Sequence, residues 1–163
     1  MASAPPAPAD KTALLLAWKA LLEDRLAALS RSSSAARAGT RVDGDHRPAN
    51  RGERAAVSSQ GYLAHGLAQR AAVLRSTVEL LEQVSLEPAD QVRTGALVQV
   101  EGEDGEEQLL FIVPGAQGDE VLGVRLVSPQ APVARALAGR EEGDAAVVAG
   151  GGGARELAVV GVW

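Results

Sequence analysis

Residues 39–54 read Gly-Thr-Arg-Val-Asp-Gly-Asp-His-Arg-Pro-Ala-Asn-Arg-Gly-Glu-Arg, and they separate two long runs with helical periodicity. The stretch is broken by Gly39, Gly44, Pro48 and Gly52, residue types that punctuate chains rather than continue a helix. It is too polar for a core. If the flanking runs pair as an antiparallel hairpin, these residues form its tip. The tip end is also basic: residues 31–54 hold six Arg against three acids.

The run before it covers about 10–38. Asp10 is positioned as an N-cap. Leu15, Trp18, Leu22, Leu26 and Leu29 are spaced three or four apart, and Leu14 and Leu21 widen the stripe. Lys19, Glu23, Asp24 and Arg25 fall elsewhere, leaving a narrow apolar seam on a wet helix. The Ser30–Ser34 run weakens the pattern, and the helix is expected to fray or to continue less stably there. The run after the tip covers about 53–85, with Val57, Gly61, Ala64, Leu67, Ala71, Leu74, Val78 and Leu81 at the same spacing. Trp18 and Tyr62 are read as seam packing residues. A helix of ~33 residues is roughly 50 Å long. So narrow a hairpin buries little surface, so a second domain is expected at its base.

Composition excludes several classes of function. Aromatic residues make up 2% of the 163 residues, and there is no Cys. Base-stacking surfaces, thiol catalysis and zinc–thiolate sites are therefore not expected. Two His, His46 and His65, do not build a metal site. No apolar run spans a membrane. Residues 1–9 read as a disordered Pro/Ala tail on a cytoplasmic protein, without a leader pattern. Net charge is −5 overall, +1 over residues 1–90 and −6 over 91–163. That distribution does not suit independent duplex-DNA binding.

Pro88 ends the second helical run, and the period moves toward two from Gly95. Leu97–Val100, Gln108–Val113 and Val121–Val127 are expected strands. Pro132–Ala138 is an expected short helix closed by Gly139, and Ala145–Val148 and Leu157–Val162 form a final strand pair. The expected organisation is a tail over 1–9, a coiled-coil hairpin over 10–86, a linker over 87–94 and a small antiparallel β domain over 95–163. The fold class is α+β.

The second half carries a resemblance. Gly95-Ala-Leu-Val-Gln-Val, Asp104–Val113, and Ala131-Pro-Val-Ala-Arg-Ala-Leu-Ala-Gly-Arg-Glu-Glu-Gly-Asp before Ala145–Val148 are in the order found in the Gre transcript-cleavage and elongation factors of bacteria. The chain resembles that GreA/GreB-like family over nearly all of 95–162. The resemblance implies an FKBP-like C-terminal domain that docks on RNA polymerase core, with Pro132, Val133 and Arg135 as candidate docking residues. It also implies a hairpin whose tip enters the polymerase secondary channel. There the tip acids assist a two-metal hydrolysis that the polymerase itself performs on backtracked RNA. Such a factor is not an enzyme and has no cofactor of its own; the Mg²⁺ belongs to the polymerase.

The tip departs from the family pattern of Gly-Asp, two residues, then Glu-Asn. Gly44-Asp45 matches its start, and Asp45 is the candidate Mg²⁺ contact in the polymerase complex. The Glu position holds Pro48 or Ala49, neither of which ligates a metal. Asp43 and Glu53 are nearby acids. Arg41, Arg47, Arg51 and Arg54 are candidate contacts to the nascent RNA 3′ end. The expectation is a transcription regulator with weak or absent cleavage stimulation. Two other readings are a coiled-coil interaction module without polymerase binding and an FKBP-like prolyl isomerase or chaperone.

Overall fold

A computed structural model of the chain describes residues 7–40, 51–150 and 152–163. Two long helices come first, α1 (Lys11–Thr40) and α2 (Arg51–Leu81). Asp10 caps α1 as its sequence position predicts. Its Oδ1 accepts the backbone N–H of Thr12 at 2.8 Å and of Ala13 at 3.3 Å. Of the two outcomes expected at Ser30–Ser34, the helix continues: α1 runs on to Thr40. The physical reason lies at Ser33, which is buried and whose hydroxyl donates to the Ala64 carbonyl at 3.5 Å. A small polar side chain with an acceptor opposite it can stay in the seam.

The chain divides into two compact units, Met1–Lys19 with Leu80–Trp163, and Ala20–Glu79. The division passes through both long helices. Within the second unit, Leu22, Ala64 and Ala71 are buried and Leu26, Leu29, Leu67 and Leu74 are half-buried. Tyr62 is 81% exposed and is not a seam residue. At 100° per residue it stands roughly 160° around α2 from Ala64, on the opposite side.

The first unit contains a mixed sheet. Among the described residues its strands are β1 (Leu97–Gly102), β2 (Glu107–Ile112), β3 (Glu120–Val121), β4 (Val124–Val127), β5 (Ala145–Gly150) and β6 (Gly153–Val162), in the order β3-β4-β2-β1-β6-β5. A short helix, α3 (Pro132–Leu137), lies between β4 and β5 in sequence. One pair departs from the expected antiparallel pattern: β2 and β4 run parallel, with Phe111 beside Leu126. The chain between them does not close a direct hairpin. It crosses over about a dozen residues, as a parallel neighbour requires, and it makes β3 on the way. The single strand expected at Val121–Val127 is therefore two. Leu122 (φ 51°) and Gly123 (φ 76°) both adopt the left-handed region, the geometry of a two-residue hairpin turn.

Both faces of this sheet are buried at its centre. On one face Val98, Val100, Leu110, Ile112, Val127 and Val159 form a cluster with Ala134 and Leu137 of α3. The alternation of strands places Leu97, Phe111 and Leu126 on the other face, all fully buried and in register. Trp18, Leu14 and Leu81 are buried within the same unit. The indole N–H of Trp18 donates to the carbonyl of Pro114, two residues beyond β2, at 3.3 Å. Gly95 marks a close backbone approach: its φ is +87°, and a Cβ there would stand 2.0 Å from the Ser85 carbonyl oxygen.

Candidate functional site

The tip residues divide into two groups. Arg41, Asp43, Asp45 and Arg47 lie outside the described residues, as do Pro48 and Ala49. Arg51, Glu53 and Arg54 are described, and they are helical rather than part of a loop, because α2 already begins at Arg51. All three are exposed. Glu53 is in the first turn of α2, where a carboxylate complements the positive end of the helix dipole by about 0.3–1 kcal/mol. That local role is independent of any ligand.

In the first unit the sequence-predicted docking residues are at the start of α3. Ala131 is extended (φ −63°, ψ 145°) and Pro132 takes the first turn, where its missing N–H leaves nothing unpaired. Ser128 shapes the approach. Its Oγ accepts the Gln130 N–H at 3.3 Å and donates to Gln130 Oε1 at 2.7 Å, while its carbonyl accepts the Ala131 N–H at 2.9 Å. Ala134 and Leu137 anchor α3 in the core, leaving Pro132 and Arg135 exposed and Val133 half-buried. Past the helix, Gly139 at φ +74° donates to the Val92 carbonyl at 2.9 Å, and the Val92 N–H returns to the Arg140 carbonyl at 2.8 Å. The end of α3 is thus pinned to the segment that leads into the sheet.

An open cleft of about 600 Å³ lies beside the start of α3. Pro132 and Val133 form one wall, Leu110 and Val127 contribute apolar floor, and the β5–β6 hairpin closes the far side through Val148 and Ala154. Arg125 on β4 and Arg155 on β6 add two cations to the lining. Arg135 does not line it. The sequence reading misses Arg125 and Arg155, because the parallel β2–β4 pair and the β5–β6 hairpin bring them to one cleft from positions thirty residues apart. No local motif signals that juxtaposition.

The cleft offers apolar contact area, guanidinium donors and the amides of Gln108 and Gln117. It holds no nucleophile–base pair. Among the described residues no group of three or more His, Cys, Asp or Glu is arranged to hold a metal ion. No described helix is long and apolar enough to cross a membrane.

One charged group near the base of α1 is perturbed. Burial lowers the pKa of Lys11 from the usual 10.5, the nearby Arg93 adds to the effect, and Glu87 opposes it. Lys11 Nζ donates to the Glu87 carbonyl at 2.9 Å, and Arg93 Nη2 donates to the same oxygen at 3.4 Å.

Comparison with known proteins gives these surfaces a context. Residues 87–163 match the family model described as transcription elongation factor, GreA/GreB, C-term. The chain is 34% identical over 85 residues to a transcription elongation factor GreA of Halorhodospira halophila, covering 52% of this chain and 53% of that protein. It is 32% identical over 108 residues to a GreA of Methylococcus capsulatus, covering 66% of this chain and 67% of that protein. The chain thus spans about half the length of the first relative and two thirds of the second. A crystal structure of GreA factor homolog 1 of Thermus thermophilus aligns over 91% of this chain and 92% of its own, with 17% identity and a TM-score of 0.39. On the sequence relationships, the chain belongs to the GreA/GreB family of transcription elongation factors.

Proposed function

We propose that this chain is an RNA polymerase-binding regulator of the Gre type that occupies the secondary channel with little or no stimulation of transcript cleavage. Membership of the GreA/GreB family supports the polymerase as partner. The single observation that carries the non-cleaving reading is the tip sequence Gly44-Asp45-His46-Arg47-Pro48-Ala49-Asn50, which has no Glu where the family pattern has one.

The mechanism follows from coordination chemistry. A second catalytic Mg²⁺ is a hard ion that selects oxygen ligands, and the polymerase holds it weakly. In the polymerase complex Asp45 would hold that ion through one carboxylate, and a second tip acid would be needed to help orient the attacking water. Pro48 and Ala49 contribute no donor. Asp43 and Glu53 are the remaining acids, and Glu53 stands on α2. Arg41, Arg47, Arg51 and Arg54 fit contact with the nascent RNA 3′ end, since guanidinium–phosphate bonds are charge-assisted. Docking is assigned to the start of α3, with Pro132 and Val133 at the cleft and Arg135 on the exposed face. The protein has no catalytic residues or cofactor of its own in this account.

A backtracked elongation complex tests it. With saturating protein, the transcript is expected to shorten at the rate of polymerase alone. Shortening well above that rate, abolished by Asp45→Ala, would overturn the non-cleaving reading and leave the family assignment intact.

A further inference from the structure

The two edges of the sheet are built differently. At one edge β3 has two residues, one of them Glu120. A strand so short and charged resists pairing with other chains. At the other edge β5 runs six residues, Ala-Ala-Val-Val-Ala-Gly, with no charge and no proline. Its one strand neighbour is β6. No backbone hydrogen bond outside that pair involves Ala145–Gly150 among the described residues. The outward N–H and C=O groups of β5 therefore have no backbone partner among the described residues, and the strand carries neither the charge nor the proline that often protects an edge, although Ala134 and Leu137 of α3 pack with its core-facing side chains.

The faces of β5 are also unusual. Ala146 and Val148 point into the core cluster. Ala145, Val147 and Ala149 point to solvent, with Val147 64% exposed. Their β6 partners on that face are Ala158, Glu156 and Ala154. A solvent face normally alternates to polar residues; this one is mostly Ala and Val.

We propose that β5 pairs with β5 of a second copy of this chain, antiparallel about a two-fold axis, joining the two sheets edge to edge. Several observations favour a second copy over a foreign strand. The exposed side chains of β5 are Ala and Val, which offer no charge to select a different sequence. The strand is complementary to itself. A two-fold normal to the sheet keeps each face continuous, which requires opposing residues of equal parity. The central register sets Val147 against Val147 of the second copy, with Ala146 against Val148 and Ala145 against Ala149. Each core-facing residue then meets a core-facing residue, and the one charge this register sets opposite β5 is Asp144 of the second copy, at the Gly150 end of the strand.

The acidic character of the chain does not oppose this contact. In that register the two copies of Glu156 are three strand spacings apart, about 14 Å at ~4.8 Å each. That exceeds the ~8 Å Debye length at physiological ionic strength. Asp144, just before β5, faces Gly150 of the other copy. The interface is isologous, so it closes at the dimer and does not propagate into a filament.

Sedimentation equilibrium of the full chain tests the pairing. One strand pair is a small interface, so a dissociation constant of about 0.1 mM is expected and the scan extends to roughly 1 mM. The weight-average mass is expected to rise from 16.7 kDa toward twice that value. Val147→Lys and Val147→Glu, each with an unchanged circular dichroism spectrum, are expected to stay monomeric alone and to form a heterodimer when mixed. A wild-type chain that stays at 16.7 kDa throughout, or a Val147→Lys variant that dimerises like wild type, would overturn the proposal.

Discussion

Gly95→Ala isolates the close approach that ties the segment after α2 to the start of the sheet. Gly95 sits at φ +87°, and an added Cβ would lie 2.0 Å from the Ser85 carbonyl oxygen and 3.1 Å from Val84 Cγ1. Ordinary van der Waals contact begins at 3.4 Å, so the Ser85 carbonyl must retreat by about 1.4 Å. The left-handed conformation costs an alanine roughly 1–2 kcal/mol. Displacing the backbone also weakens the bond from Gly95 N–H to the Ile112 carbonyl, 2.8 Å long, for about 1 kcal/mol more. The expected loss is about 3 kcal/mol, or roughly 6–12 °C in Tm for a chain of this size. Gly139→Ala is the internal control: its φ is +74° and nothing lies within 4 Å of its added Cβ. It carries the conformational cost without the clash, about 1–2 kcal/mol. Urea unfolding of both variants measures the difference. Equal losses would refute the steric argument.

Other substitutions test separate links. Trp18→Ala empties a fully buried site and removes the donor to Pro114; calorimetry is expected to show a loss of about 3–5 kcal/mol. Leu122 is 71% exposed at φ 51°, so Leu122→Asn is expected to stabilise by roughly 0.5–1 kcal/mol in a urea titration, since Asn tolerates that conformation. Asp10→Ala removes two capping bonds from α1 and is expected to cost about 1 kcal/mol by the same measurement. Burial holds the Lys11 pKa below 10.5, so between the two values the unfolded chain binds more protons. Stability therefore rises with pH across that window, and comparison with Lys11→Met in alkaline urea titrations should show this component removed.

The helices were legible because their burial repeats along the chain. Leu14, Trp18 and Leu22, and Ala64, Ala71 and Leu81, obey the three-and-four spacing and are all buried. Tyr62 lies near the seam in sequence, but two residues at 100° each turn it to the side of α2 opposite Ala64, where it is exposed. The parallel β2–β4 pair was hidden, since nothing in an apolar run records the direction of its neighbour, and Leu122 is an unexpected residue for a left-handed turn. The place of Pro132 and Val133 at the start of a short helix could be read from the order of residues around α3. Arg125 and Arg155 could not, because the cleft exists only after distant strands pair. The tip acids Asp43 and Asp45 are outside the described residues, and their roles rest on sequence.

The most direct measurement is competition for core RNA polymerase between this chain and a cleavage-stimulating GreA. In a backtracked complex, increasing amounts of this chain are expected to suppress GreA-dependent transcript shortening to the level of polymerase alone, without producing shortening of its own. If cleavage by GreA is unaffected at a large molar excess, and the chain does not bind the core enzyme, the account of a non-cleaving secondary-channel factor is contradicted.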